Sequence, residues 1–106
     1  MAGQVRVSHI LLMYEGSERS TATRSKEEAF SEIGDIKEKI ANGEDFAALA
    51  ATHSDCPSGR DGGDLGFFSR GAMVPEFDEV AFGLEVGDDS DVVTTAFGYH
   101  LLRRTA

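Results

Sequence analysis

The strongest strand signals in this chain lie at its two ends, and they constrain the fold more than any other feature. Residues 4–12 alternate, with Val5, Val7, His9 and Leu11 on one face and Arg6, Ser8, Ile10 and Leu12 on the other, the period of a pleated strand. Residues 99–104 read as the last strand, preceded by a strand over 91–95 and a Phe97-Gly98 turn. Helical periods fill the middle. Ser25 and Glu28 form a capping box, after which Ala29, Phe30, Ile33, Ile36 and Ile40 recur at helical spacing to about Ala41. Phe46, Leu49 and Ala50 give a short second helix ending near His53. Pro75 suits the first turn of a third, in which Val74, Phe77, Val80, Ala81 and Leu84 fall close to one face. Residues 65–68 can pair as a further strand inside the glycine-rich stretch 54–71, and the polar, aperiodic stretch 14–24 reads as an exposed, mobile loop. Strands at both ends with helices between them predict a mixed α+β domain, helices packed around a small sheet.

A length of 106 residues suits a single domain over 1–106 with one core. Hydrophobic content of 41% against 27% charged residues is enough to fold. The net charge of −9 offers phosphate backbones no basic footprint, so nucleic acid is not an expected partner. The longest apolar run, residues 46–51, is far short of the roughly 18 residues of a membrane span, and the opening MAGQVRV has no signal-peptide core. Cys56 is the single cysteine and cannot form an intrachain disulfide. A reducing, cytoplasmic setting fits best.

Several residues carry chemistry. His9 sits mid-strand on the more apolar face, where the plain expectation is a buried histidine satisfied by a neighbour. His100 is mid-strand at the other end, so antiparallel pairing of the terminal strands would let the two imidazoles meet. His53 and Cys56 are three residues apart, but His9 and His100 lie in strand centres and nothing suggests that His53 converges on them, so no metal is expected. Cys56 beside a histidine would suit a cysteine hydrolase, without any local signature of one. The run 59–66 lacks both the P-loop lysine and a GxGxxG that opens a helix, which leaves a tight glycine turn as the better reading. Met73 and Phe77, four apart, are core neighbours or the lining of an apolar cup.

Three segments in this order, SHILL, SDCPSGRDGGDLGFFSRGAMVPEFDEVAF and FGYHLLRR, resemble the parvulin family of peptidyl-prolyl cis/trans isomerases over essentially the whole chain. The resemblance implies a four-stranded antiparallel sheet ringed by helices in the order β-α-α-β-α-β-β, and rotation about X-Pro bonds without metal, nucleotide or other cofactor. Carried over by position, His9, Cys56, Thr95 and His100 match the family's polar site. Leu65, Met73, Phe77 and Phe97 match its proline pocket and the turn beside it. Members that prefer phosphorylated Ser/Thr-Pro carry a basic cluster after the first histidine. Here that stretch gives Met13, Glu18 and, from the cluster, only Arg19, with Arg24 further on, and Val74 replaces an amide side chain. No phosphate site is therefore expected, and the pattern looks closer to small stand-alone prokaryotic parvulins. The expected clients are proline-containing segments of unfolded polypeptides with neutral or basic residues beside proline, handled by a monomer in support of protein folding. The alternative is a binding or chaperone module on the same fold without efficient catalysis. Met73→Ala and Phe77→Ala should both weaken turnover more than stability, and His9→Ala should cost stability as well.

Overall fold

The computed structural model describes residues 3–106; the opening MAGQVRV falls partly on Met1 and Ala2, outside the described residues. The chain runs β1 (Gln4–Leu12), α1 (Lys26–Ala41), α2 (Phe46–His53), a short 3-10 helix (Pro57–Asp61), β2 (Asp64–Ser69), α3 (Pro75–Gly83), β3 (Val93–Thr95) and β4 (Gly98–Arg104). The strands form one antiparallel sheet in the order β2-β1-β4-β3, so the two terminal strands are its centre. The expected α+β architecture is the one observed. The 3-10 helix is the one element the sequence pattern did not suggest.

Each helix is started by local chemistry and held by the face it buries. Ser25 accepts the Glu28 N–H while the Glu28 carboxylate accepts the Ser25 N–H, so both ends of the box are closed. Asp45 accepts the Ala48 N–H at the start of α2. Pro75 occupies the first turn of α3, where its missing N–H leaves no bond unmade. Two apolar clusters result, one on each side of the sheet. Ile33 and Ile36 of α1 and Phe46, Leu49 and Ala50 of α2 pack with Ile10, Leu12 and Leu101. Phe77 and Ala81 of α3 pack with Val5, Val7, Phe68 and Leu102. β1 is covered on both faces in its C-terminal half, since Ile10 and Leu12 are as buried as the opposite face.

The stretch 14–24, expected to be a mobile loop, is tied down at several points. The Glu15 N–H donates to the Arg24 carbonyl and the Glu18 N–H to the Ala96 carbonyl. Arg24 reaches the Met13 carbonyl, Asp55 and Glu32. Polar, aperiodic sequence predicted exposure correctly here, but the loop's backbone groups find protein partners.

Candidate active site

The sheet register brings the two histidines together on the α3 side. In the β1–β4 ladder His9 faces Leu102 and Leu11 faces His100, which makes the imidazoles diagonal neighbours on one face. Their Nδ1 atoms are 3.2 Å apart and the rings are nearly parallel. Burial holds the His9 pKa down at about 4 and that of His100 at about 3, with His9 itself adding to the effect on His100. Both rings are neutral at neutral pH, so one must donate and the other accept.

Thr95 sets the direction of that bond. Its Oγ lies 2.7 Å from His100 Nε2 and also accepts the Phe97 N–H. If Thr95 donates to Nε2, then His100 carries its proton on Nδ1, donates to His9 Nδ1, and leaves the His9 proton on Nε2. The reverse arrangement strands the Thr95 hydroxyl hydrogen in a buried site as well as a bare His9 Nε2, and each such orphan costs about 1–3 kcal/mol. The first direction is favoured. His9 is buried and meets a neighbour, His100, at Nδ1 as expected, but its Nε2 is buried without a hydrogen-bond partner among the described residues. The ring stands edge-to-face with Phe77, centroids 5.5 Å apart.

Above this pair lies an apolar cavity of about 380 Å³, with His9 and His100 in its lining. Leu65 of β2, Phe77 of α3 and Met73 and Val74 before α3 line it, together with Phe97 from the β3–β4 turn. Cys56 and Pro57 complete another part of the wall. Thus every residue expected in the polar site or proline pocket is brought together except Thr95, which reaches the cavity only through His100. His53, at the end of α2, is not in the wall. Among the described residues no three His, Cys, Asp or Glu side chains gather in a metal-binding arrangement. Grooves beside Phe30 and beside Phe67 have similar volumes but gather no histidine or cysteine.

Residues with no role assigned from sequence position Cys56. Ser54 Oγ accepts the N–H groups of both Leu11 and Cys56. Asp55 donates its N–H to the Leu11 carbonyl and accepts the Met13 N–H. The end of β1 is thereby stitched to the loop that carries the thiol. Ser58 donates to Cys56 Sγ at 3.2 Å, and neither imidazole is hydrogen-bonded to that sulfur. Of the charged side chains among the described residues, Arg19 alone enters the wall, while Arg24 is committed to Asp55 and Glu32.

Comparison with known proteins agrees with this arrangement. The family model for the PPIC-type PPIase domain matches residues 1–106. The peptidyl-prolyl cis-trans isomerase pin1 of Rhizopus delemar is 44% identical over 97% of this chain and 73% of its own length. The Pin1 isomerase of Arabidopsis thaliana is 40% identical, over 97% of this chain and 96% of its own. The solved peptidyl-prolyl isomerase ESS1 from Candida albicans superposes with a TM-score of 0.94 at 40% identity, over 98% of this chain and 63% of that one. These relatives are eukaryotic and two bear the name Pin1, so they lend no support to the expected nearness to small stand-alone prokaryotic parvulins. With the fold, the paired histidines and the matched length in agreement, the chain belongs to the parvulin-type (PPIC-type) peptidyl-prolyl cis/trans isomerases.

Proposed function

We propose that the cavity over His9 and His100 is where the X-Pro bond rotates, that the rotation is non-covalent, and that no phosphate is required. The observation that carries this reading is one apolar cavity whose buried polar lining is a neutral histidine pair. The barrier arises from amide conjugation and is roughly 18–20 kcal/mol, and each ~1.4 kcal/mol removed is worth tenfold in rate. No bond need be made or broken, so a site accelerates the step by favouring the twisted amide over both planar isomers. Leu65, Met73 and Phe77 grip the pyrrolidine ring while the flanking peptide turns. The carbonyl dipole changes as conjugation is lost, and the fixed dipoles of Cys56 and the His9–His100–Thr95 chain act on it. Attack by Cys56 is disfavoured, since the sulfur's one close partner is a hydroxyl and no base is placed to take its proton.

Charge supports a narrower client than the sequence suggested. A phosphate brings a charge of about −1.5 to −2, against which the wall sets Arg19 and no other charged side chain among the described residues. Arg19 also removes the local basis for favouring basic residues beside proline, so neutral ones are proposed. The exposed apolar side chains Phe30, Phe67 and Val86 sit on α1, β2 and the α3–β3 connection rather than on one element, which supports a monomer. A lone free cysteine suits a reducing compartment such as the cytoplasm, where flexible X-Pro segments of folding chains are the clients. Among the described residues no helix is long and apolar enough to cross a membrane.

The test is cis/trans exchange measured by NMR on Ala-Xaa-Pro-Phe peptides with Xaa as Leu, Arg, Glu or phospho-Ser. Leu-Pro is expected to be accelerated at least as well as the others. Binding without acceleration of any peptide would make the protein a proline-segment binder. A phospho-Ser-Pro rate tenfold above Leu-Pro would overturn the charge argument.

A further inference from the structure

β2 does not run regularly against β1. Arg6 faces Phe67, yet Ser8 faces Asp64. Three steps on β2 therefore match two on β1, and β2 holds one extra residue, a bulge, at Leu65-Gly66. Gly66 has φ of +72°, a conformation that favours glycine. The consequence is directional. In an unbroken strand Leu65 would share a face with Phe67, two residues on, and Phe67 is 58% exposed. The extra residue turns Leu65 to the other side, where it packs against the cluster of Val5, Val7 and Phe77 and lines the cavity.

Side chains outside the cavity hold this bulge. Asp64 Oδ1 accepts the Gly66 N–H and the Arg6 Nε–H, both at 3.0 Å, while Oδ2 accepts the second guanidinium arm at 2.5 Å. Arg6 belongs to β1, so the pair spans the two strands at the point where their register slips. Neither residue lines the cavity. An exposed ion pair adds little to global stability, but a planar guanidinium fork orients a carboxylate far better than a point charge would.

We propose that Arg6 and Asp64 are positioning residues for the isomerisation, locking the β2 bulge so that Leu65 is presented to the proline ring. The proposal rests on the cavity being the proline site. It is tested by kcat and KM for a Leu-Pro peptide, with urea midpoints, in Leu65→Ala, Asp64→Ala, Arg6→Gln and the double variant Asp64→Ala/Leu65→Ala. Leu65→Ala should lower kcat/KM about tenfold, the scale of lost apolar contact in a binding pocket. Asp64→Ala should reproduce most of that loss with an unfolding midpoint near wild type. Arg6→Gln should give a smaller part of it, because Asp64 still accepts the Gly66 N–H. The double variant should lose no more than Leu65→Ala alone, which a merely structural role would not produce. If Leu65→Ala leaves turnover intact, the proline-site reading falls and the proposal falls with it. If Leu65→Ala lowers turnover while Asp64→Ala does not, or if the double variant multiplies the two losses, only the positioning role is overturned. Should Asp64→Ala fail to fold, Arg6→Gln with its own Leu65→Ala double variant completes the same cycle.

Discussion

Phe77 is buried in the core and lines the cavity, whereas Met73 lines the cavity and is only half-buried against the edge of that core. Phe77 is 3% exposed, packs with Phe68 and Leu102, and stands edge-to-face with both His9 and His100 at 5.5 Å. Met73 is only partly buried and precedes α3, so it can be shortened without opening the core. The family resemblance, which places both in the proline pocket, predicts the same outcome for both, a loss of turnover ahead of stability. Burial separates them. Truncating a buried phenylalanine costs about 3–5 kcal/mol, a large share of the 5–15 kcal/mol typical of a whole domain. Phe77→Ala is therefore expected to lower the urea midpoint markedly, whereas Met73→Ala keeps a midpoint close to wild type and loses kcat/KM. Equal midpoints for the two variants would show that Phe77 does not bridge core and cavity. His9→Ala belongs with Phe77→Ala, because it removes the acceptor of the His100 Nδ1–H inside the fold.

The connection from the 3-10 helix into β2 acts on β1 through backbone contact. Gly63 has φ of +86°, and its carbonyl accepts the His9 N–H at 2.9 Å. A Cβ at Gly63 would lie 2.3 Å from the His9 carbonyl oxygen, a backbone atom that cannot step aside. Gly63→Ala combines a left-handed conformation with overpacking and is expected to cost about 2–4 kcal/mol. It should also shift the ring ¹⁵N resonances of His9 and His100, whereas an alanine variant with an unchanged midpoint and unchanged ring signals would contradict the contact. None of this was legible in the glycine run, which reads only as a tight turn. What was legible had local causes, namely the alternation of β1, the capping box of α1 and the proline in the first turn of α3. β3 was expected over 91–95 but begins at Val93, because Asp91 Oδ1 accepts the Val92 N–H and a Lys37 ammonium hydrogen instead of leaving that amide to a ladder. The β2 bulge left no trace in the hydrophobic period, since it is defined by register against a strand far away in sequence. The site was legible through its resemblance to a family more than through any periodicity. Taken alone, His9 reads as a core residue, and its partner His100 is 91 positions away.

Over the whole molecule, two opposing electrostatic effects respond to acid. The chain carries −9 at neutral pH, and protonating carboxylates relieves that self-repulsion, but mainly below about pH 5, near and under their ordinary pKa values. The buried histidines act earlier. Their folded pKa values of about 4 and about 3 lie below the ordinary 6.5, so between those limits the unfolded chain binds protons that the folded chain excludes. Stability therefore rises with pH through this window, is complete above about 6.5, and falls as the pH drops toward the folded values. At pH 5 the unfolded chain has taken up most of the protons that the two buried rings exclude, so both rings destabilise the fold relative to neutral pH, while exposed ion pairs such as Arg103–Asp89 or Lys37–Asp91 contribute little. The expected result is a urea midpoint that falls clearly from pH 7.5 to pH 5, while turnover per folded molecule shows no inflection near pH 6.5. A midpoint equal or higher at pH 5 would mean that relief of the net charge outweighs the histidines. A turnover step near 6.5 would mean that the pair takes up a proton inside the fold at an ordinary pKa, against the lowering that burial imposes on both rings.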